Sequence, residues 1–205
     1  MRKRFIAIFL SALMLFNALL TTIGITASAA TFTGTITRDH YISGYYFRFT
    51  ASDGFRCGGH YGQPSVWKLG SRFVYCIELG VSPPSGSKTA RDTYDYLSAT
   101  QKKQLDKAMT YGYNGTSKYG CSQNAEYFAT QIICWTISEN VLNNTDRYNT
   151  LVSSALNQCS EKSDVKSVAS KIKTQINNHT TMPSFLKTTA KTAHRICQLM
   201  PAVLM

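Results

Sequence analysis

Residues 123–141 read QNAEYFATQIICWTISENV, and this stretch decides the fold. Apolar residues fall at Ala125, Phe128, Ala129, Ile132, Ile133 and Ile137, the spacing of an α-helical face. Phe128, Gln131 and Trp135 form a second line three and four residues apart. A helix that is apolar on most sides belongs in a core. Gln131 is the residue that does not fit. A buried carboxamide without partners is costly. It reads as a Gln bonded to backbone at a helix–strand contact, as part of an exposed stripe, or as a reactive group.

Working outward, the segment before this helix is polar and helical from Ser98. Ser98 followed by Gln101 fits a capping box, and Leu105, Ala108 and Met109 give one apolar face. Gly112-Tyr113-Asn114-Gly115 ends that helix. Two more helices are expected near residues 147–157 and 164–177, the second with Val165, Val168, Ala169, Ile172 and Ile176 on one face. Residues 31–79 look like β structure, punctuated by Gly44, Asp53-Gly54 and Gly58-Gly59. Residues 72–79 (RFVYCIEL) read as the clearest strand, bounded by Gly70 and Gly80, with Cys76 in its middle. Pro83-Pro84-Ser85-Gly86 breaks the chain. Met182-Pro183-Ser184-Phe185 reads as the start of a return strand that would close the sheet, and residues 186–205 as an irregular tail. The expected fold class is α+β: an antiparallel β-sheet or sandwich with a helical insertion, in a single domain.

The N-terminus reads as a signal peptide over residues 1–30. Arg2-Lys3-Arg4 is followed by an apolar run from Phe5 to Leu20 and by the small residues Ala27-Ser28-Ala29. An extracellular or secreted protein, wall-associated or freely released, is therefore expected, with a membrane contact only through the leader before its cleavage. The formal charge of +11 falls to 19 − 11 = +8 without those 30 residues. No basic run with interleaved aromatics occurs, so no nucleic-acid partner is expected. We find neither an LPxTG signal nor a Pro/Thr-rich stalk, which points to a freely secreted domain or a truncated reading frame.

The six cysteines lie at 57, 76, 121, 134, 159 and 197. Export permits disulfides, and the count leaves the pairing open. Cys121 and Cys159 are one candidate staple for the helical region. There is no CxxC and no zinc spacing, and neither metal nor cofactor is expected. Cys76 alone reads as a core thiol or half of a disulfide. A cysteine hydrolase would need a histidine partner, and His40, His60, His179 and His194 sit in no recognisable context. A disulfide-stapled, non-covalent binding module is the other alternative, which the Tyr-rich composition suits.

Taken together, Tyr75-Cys76-Ile77-Glu78 and Thr130-Gln131-Ile132-Ile133-Cys134-Trp135 resemble two motifs of the thioester domains of Gram-positive surface adhesins. One is aromatic–Cys–aliphatic on a strand. The other is TQ-x-A-x-W on a helix. Ile133 stands where the family has a small Ala, and Cys134 where an aliphatic is usual. The contiguous GCGEQ of the complement-type thioester proteins is absent. The resemblance covers residues 31–185. It implies a thioester crosslink between Cys76 and Gln131, with Tyr75, Thr130 and Trp135 as supports and no catalytic residue. It implies covalent capture of a nucleophile, a lysine amine on a host matrix or plasma protein. Such chemistry is spent once per molecule, so the protein would not be an enzyme.

Overall fold

A computed structural model describes residues 33–56, 59–81, 86–89 and 97–179. The chain divides into two units between Ala30 and Thr31, and the described residues belong to the second. The expected leader, Cys57, Cys197, the return strand at Phe185 and the tail lie outside them.

The architecture is α+β, as expected, but with two small antiparallel sheets. The first has strand order β5-β4-β1-β6, built from β1 (Thr33–Tyr41), β4 (Ser65–Leu69), β5 (Arg72–Val74) and β6 (Gly86–Thr89). The second has order β3-β2-β7, built from β2 (Tyr45–Arg48), β3 (Tyr61–Gly62) and β7 (Gln158–Cys159). β6 and β7 were not expected. Each is short, lacks an alternating apolar pattern, and owes its strand geometry to a partner distant in sequence: Thr33–Ile36 for β6 and Tyr45–Tyr46 for β7.

Four helices follow in chain order: α1 (Ala99–Tyr111), α2 (Gln123–Ser138), α3 (Thr145–Ala155) and α4 (Lys162–Asn178). The local signals account for their starts. The Ser98–Gln101 capping box forms in both directions on α1. Ser122 caps α2 by accepting from the Ala125 N–H, and Asn144 caps α3 by accepting from the Arg147 N–H. α2 is the central element. It packs against α4, α1 and α3, and every residue from Ala125 to Ser138 is buried.

The second sheet offers α2 an aromatic face. Tyr45, Phe47 and Phe49 alternate inward along β2 and the residue after it. Phe47 and Phe49 each meet the Trp135 ring edge-on at 5.7 Å, and Phe128 meets it at 6.2 Å. Ile133 and Cys134 are both fully buried. Ile133 lies about 200° around the helix from Gln131 at about 100° per residue. Its extra bulk relative to Ala is thus spent in the core, away from the side of the helix that carries Gln131.

The expected strand over residues 72–79 is corrected. The ladder with β4 ends at Trp67↔Val74, so Cys76 lies beyond the sheet. The chain from Val74 to Ile77 is buried throughout, but its backbone partners are now side chains of α2.

Candidate functional site

Three side chains on one line of α2 hold this segment. Tyr127 donates its hydroxyl to the Val74 carbonyl at 2.7 Å. Gln131 donates Nε2–H to the Cys76 carbonyl at 2.5 Å and accepts the Cys76 N–H on Oε1 at 3.0 Å. Trp135 donates its indole N–H to the Glu78 carbonyl at 3.2 Å. The helix residues are four apart and the segment residues two apart. Four helical residues rise about 6 Å and two extended residues about 6.6 Å, so the two periods run in step. A polar line on an apolar helix thus replaces the strand that this edge of the sheet lacks.

Gln131 is therefore a side chain bonded to backbone at a helix–strand junction, one of the ordinary readings of its sequence position. The backbone it bonds is that of Cys76. The carboxamide and the thiol-bearing residue, 55 positions apart in sequence, are clasped by two hydrogen bonds. Both are nearly buried, Cys76 at 7% and Gln131 at 6% exposure. Cys76 Sγ lies 3.3 Å from the Glu78 carbonyl oxygen, the same atom that accepts from Trp135. Cys76, Gln131 and Trp135 line a small open cleft whose other walls include Phe47, Gln63, Trp67 and Val81. The site is thus sheltered, but open on one side.

The neighbours Tyr75 and Thr130 are clamped through a shared intermediary. Thr130 Oγ1 donates back to the Glu126 carbonyl at 2.8 Å and accepts the Tyr113 N–H at 2.9 Å. The Tyr113 carbonyl accepts the Tyr75 hydroxyl at 2.5 Å. Tyr75 also stacks on Tyr127, with ring centres 4.7 Å apart. The residues before Cys76 and before Gln131 are thereby linked by one residue of the loop after α1, through its N–H and its carbonyl. Gly112 permits this approach: a Cβ there would fall 2.3 Å from Thr130 Cγ2.

That loop is anchored by Glu126, which is fully buried. Its carboxylate accepts from Ser117 Oγ at 2.6 Å and from the N–H groups of Lys118 and Tyr119 at 2.8 and 2.9 Å. Burial alone would raise its pKa. The bonds from Ser117, Lys118, Tyr119 and Cys121 outweigh that and hold it below the usual value. Gly112, Tyr113, Glu126 and Tyr127 were not singled out from sequence. Glu126 carried a usable signal, a lone acid in a helix otherwise apolar on most sides. Gly112 and Tyr113 carried only a turn signal.

A family model described as TED: Thioester domain matches residues 73–178, just over half of the chain. The chain belongs to the thioester domain family. No curated protein and no solved structure matches it. The match begins one residue before Val74 and ends with α4, so it spans both sides of the Cys76–Gln131 clasp.

Neither Cys121 nor Cys159 of this thioester domain lines the cleft. Cys121 and Cys159 are half-buried thiols packed on the core, and the staple expected between them is not formed. Burial raises the pKa of both thiols. Among the described residues no cluster of three or more His, Cys, Asp and Glu side chains is arranged to hold a metal. None of their helices is long and apolar enough to cross a membrane. No histidine lines the cleft.

Proposed function

We propose that Cys76 and Gln131 close an internal thioester, and that the domain uses it once to attach covalently to an amine on a target protein. The observation that carries this reading is the two-way clasp of the Gln131 carboxamide on the Cys76 backbone, at the wall of an open cleft. In the forward step Cys76 sulfur attacks Cδ of Gln131, the C–N bond breaks, and ammonia departs carrying the thiol proton. An amide is a poor electrophile, so holding the reactants in place is the main contribution available to the fold. The Cys76 N–H, 3.0 Å from Oε1, is aimed at the oxygen where negative charge develops. The Glu78 carbonyl, itself held by Trp135, orients the thiol.

In the second step a target amine attacks the same carbon. An amide bond to Gln131 forms and the Cys76 thiol is released. The near-burial of both residues limits hydrolysis by water until a partner docks. We read the protein as a secreted adhesive domain of a Gram-positive surface, with a lysine of a host matrix or plasma protein as the target. The leader-like N-terminus and the family support that setting. The bond is consumed in use, so the domain is a single-use coupling device and not an enzyme.

Intact mass tests the bond. The native protein should be lighter than its sequence by one ammonia. Cys76→Ala and Gln131→Ala should each restore the full mass, after correction for the substitution. Methylamine should add to the native protein at Gln131 and free one thiol. A gently purified protein at full mass would sink the reading.

A further inference from the structure

We infer that Tyr127 is the positioning residue that frees Cys76 for Gln131: its hydroxyl ends the β4–β5 ladder before the sheet can claim the Cys76 backbone. The inference rests on the thioester reading and names what keeps that same site assembled. The Tyr127 hydroxyl accepts the Trp67 N–H at 3.1 Å and donates to the Val74 carbonyl at 2.7 Å. Trp67 and Val74 are the last pair of the ladder. One oxygen of α2 thus holds both strands at the point where they part. The Tyr127 ring is buried and stacks on Tyr75 with centres 4.7 Å apart, which leaves the hydroxyl little freedom to move.

The register fixes what the ladder would do next. Leu69 faces Arg72, Lys68 faces Phe73 and Trp67 faces Val74. Two further steps would set Ser65 opposite Cys76. In an antiparallel pair the backbone groups of successive residues turn to alternate sides. On the β4 side the Pro64 carbonyl turns toward the end of β1, where it accepts the Ile42 N–H, and the Trp67 N–H turns the other way, to Tyr127. Ser65 therefore directs its N–H and carbonyl to the side of the Cys76 segment.

A Ser65–Cys76 rung would use the N–H and carbonyl of Cys76 that the Gln131 carboxamide holds at 3.0 and 2.5 Å. The strand and the carboxamide compete for the same backbone groups, with two bonds on offer from each. Such a balance is close, and the two bonds of Tyr127 tip it toward α2. Ser65 and Cys76 both line the cleft, so the opening beside the reactive pair lies where that rung would form.

Tyr127→Phe removes the hydroxyl and keeps the ring. Ammonia loss after refolding, followed by intact mass, should slow by about tenfold, the scale of a lost group that makes two hydrogen bonds. Ser65→Pro removes the N–H that the competing rung needs and spares the β1 side of the strand. Added to Tyr127→Phe, it should bring ammonia loss back to within about twofold of the unsubstituted rate, which a proline would not do for a general loss of stability. Hydrogen exchange at the Ser65 amide is a second readout that does not depend on the chemistry. Exchange there should be fast in the unsubstituted protein and slower by about tenfold or more in Tyr127→Phe, where the rung forms. Where rescue and exchange differ, or Ser65→Pro by itself slows ammonia loss, exchange at Ser65 decides. An unchanged rate of ammonia loss in Tyr127→Phe, or a Ser65 amide that still exchanges fast in it, overturns the role of Tyr127 and leaves the thioester in place. Absence of ammonia loss in the unsubstituted protein overturns both readings together.

Discussion

The two sides of α2 are built on different principles. One side presents Ala129, Ile133 and Ile137 to a core that includes Val168, Ala169, Ile172 and Ile176 of α4. Contacts there are non-directional, and any well-packed apolar set of similar volume would serve. The other side presents Tyr127, Gln131 and Trp135 to the backbone of residues 74–78, through bonds with defined donors and acceptors. The apolar side makes the helix stable. The polar side makes it specific, because one residue of slip would move Gln131 off Cys76. Gln131 sits on the side where position is controlled by hydrogen bonds, and the bulkier Ile133 sits on the side that tolerates volume.

If that division is right, damage to the apolar side should cost stability and spare the chemistry. Ile172→Ala removes a fully buried side chain from α4. It should destabilise the domain by about 3 kcal/mol through lost burial and an unfilled cavity. Thermal or urea unfolding would measure this. Ammonia loss in the folded variant at room temperature should remain complete. A folded Ile172→Ala protein that no longer loses ammonia would show that the two sides are not separable.

Glu126 lies between the two sides and sharpens the contrast, since it holds the loop that carries Tyr113. Glu126→Gln replaces one acceptor oxygen with a donor facing Ser117 or the Lys118 and Tyr119 N–H groups. We expect a loss of about 2 kcal/mol at neutral pH, the scale of a hydrogen bond to a charged group. The pH dependence has a defined sign. The folded pKa of Glu126 is lowered, so its contribution is present above the unfolded value of about 4.3 and is lost as pH falls through the folded value. The stability gap between the unsubstituted protein and Glu126→Gln should therefore narrow below about pH 4. A gap that stays constant across that range would remove the charge from the account.

The same division explains what the sequence could disclose. The start of α2 at Gln123 and the capping box at Ser98 are local signals, and both were legible. Gln131 was legible as an anomaly because polarity inside a 3.6-residue apolar pattern is conspicuous. The end of β5 at Val74 was not legible. RFVYCIEL has strand character throughout, and what changes after Val74 is the partner, from β4 to side chains 53 to 57 residues away in sequence. β6 and β7 were hidden for the same reason. Tyr113 was hidden because its role lies in its backbone N–H and carbonyl, which every non-proline residue possesses. The resemblance carried by Tyr75-Cys76 and Thr130-Gln131 joined two segments that local patterns could not join.

The smallest change should be the most discriminating. Tyr75→Phe removes only the hydroxyl that reaches the Tyr113 carbonyl, leaving the ring stacked on Tyr127. Its effect on global stability should be about 1 kcal/mol, close to the limit of a denaturation curve. Its effect on bond formation should be easier to see. With the Thr130–Tyr113–Tyr75 link cut, Cys76 loses one of the restraints that keep it facing Gln131. A loss of about 1 kcal/mol from the ordered geometry corresponds to about fivefold in rate. A time course of ammonia loss after refolding, read by intact mass, would report it. A slower approach to the same final mass would place Tyr75 among the positioning residues. An unchanged rate with the same small stability loss would confine Tyr75 to packing and leave Gln131 and Trp135 as the groups that hold the segment in register.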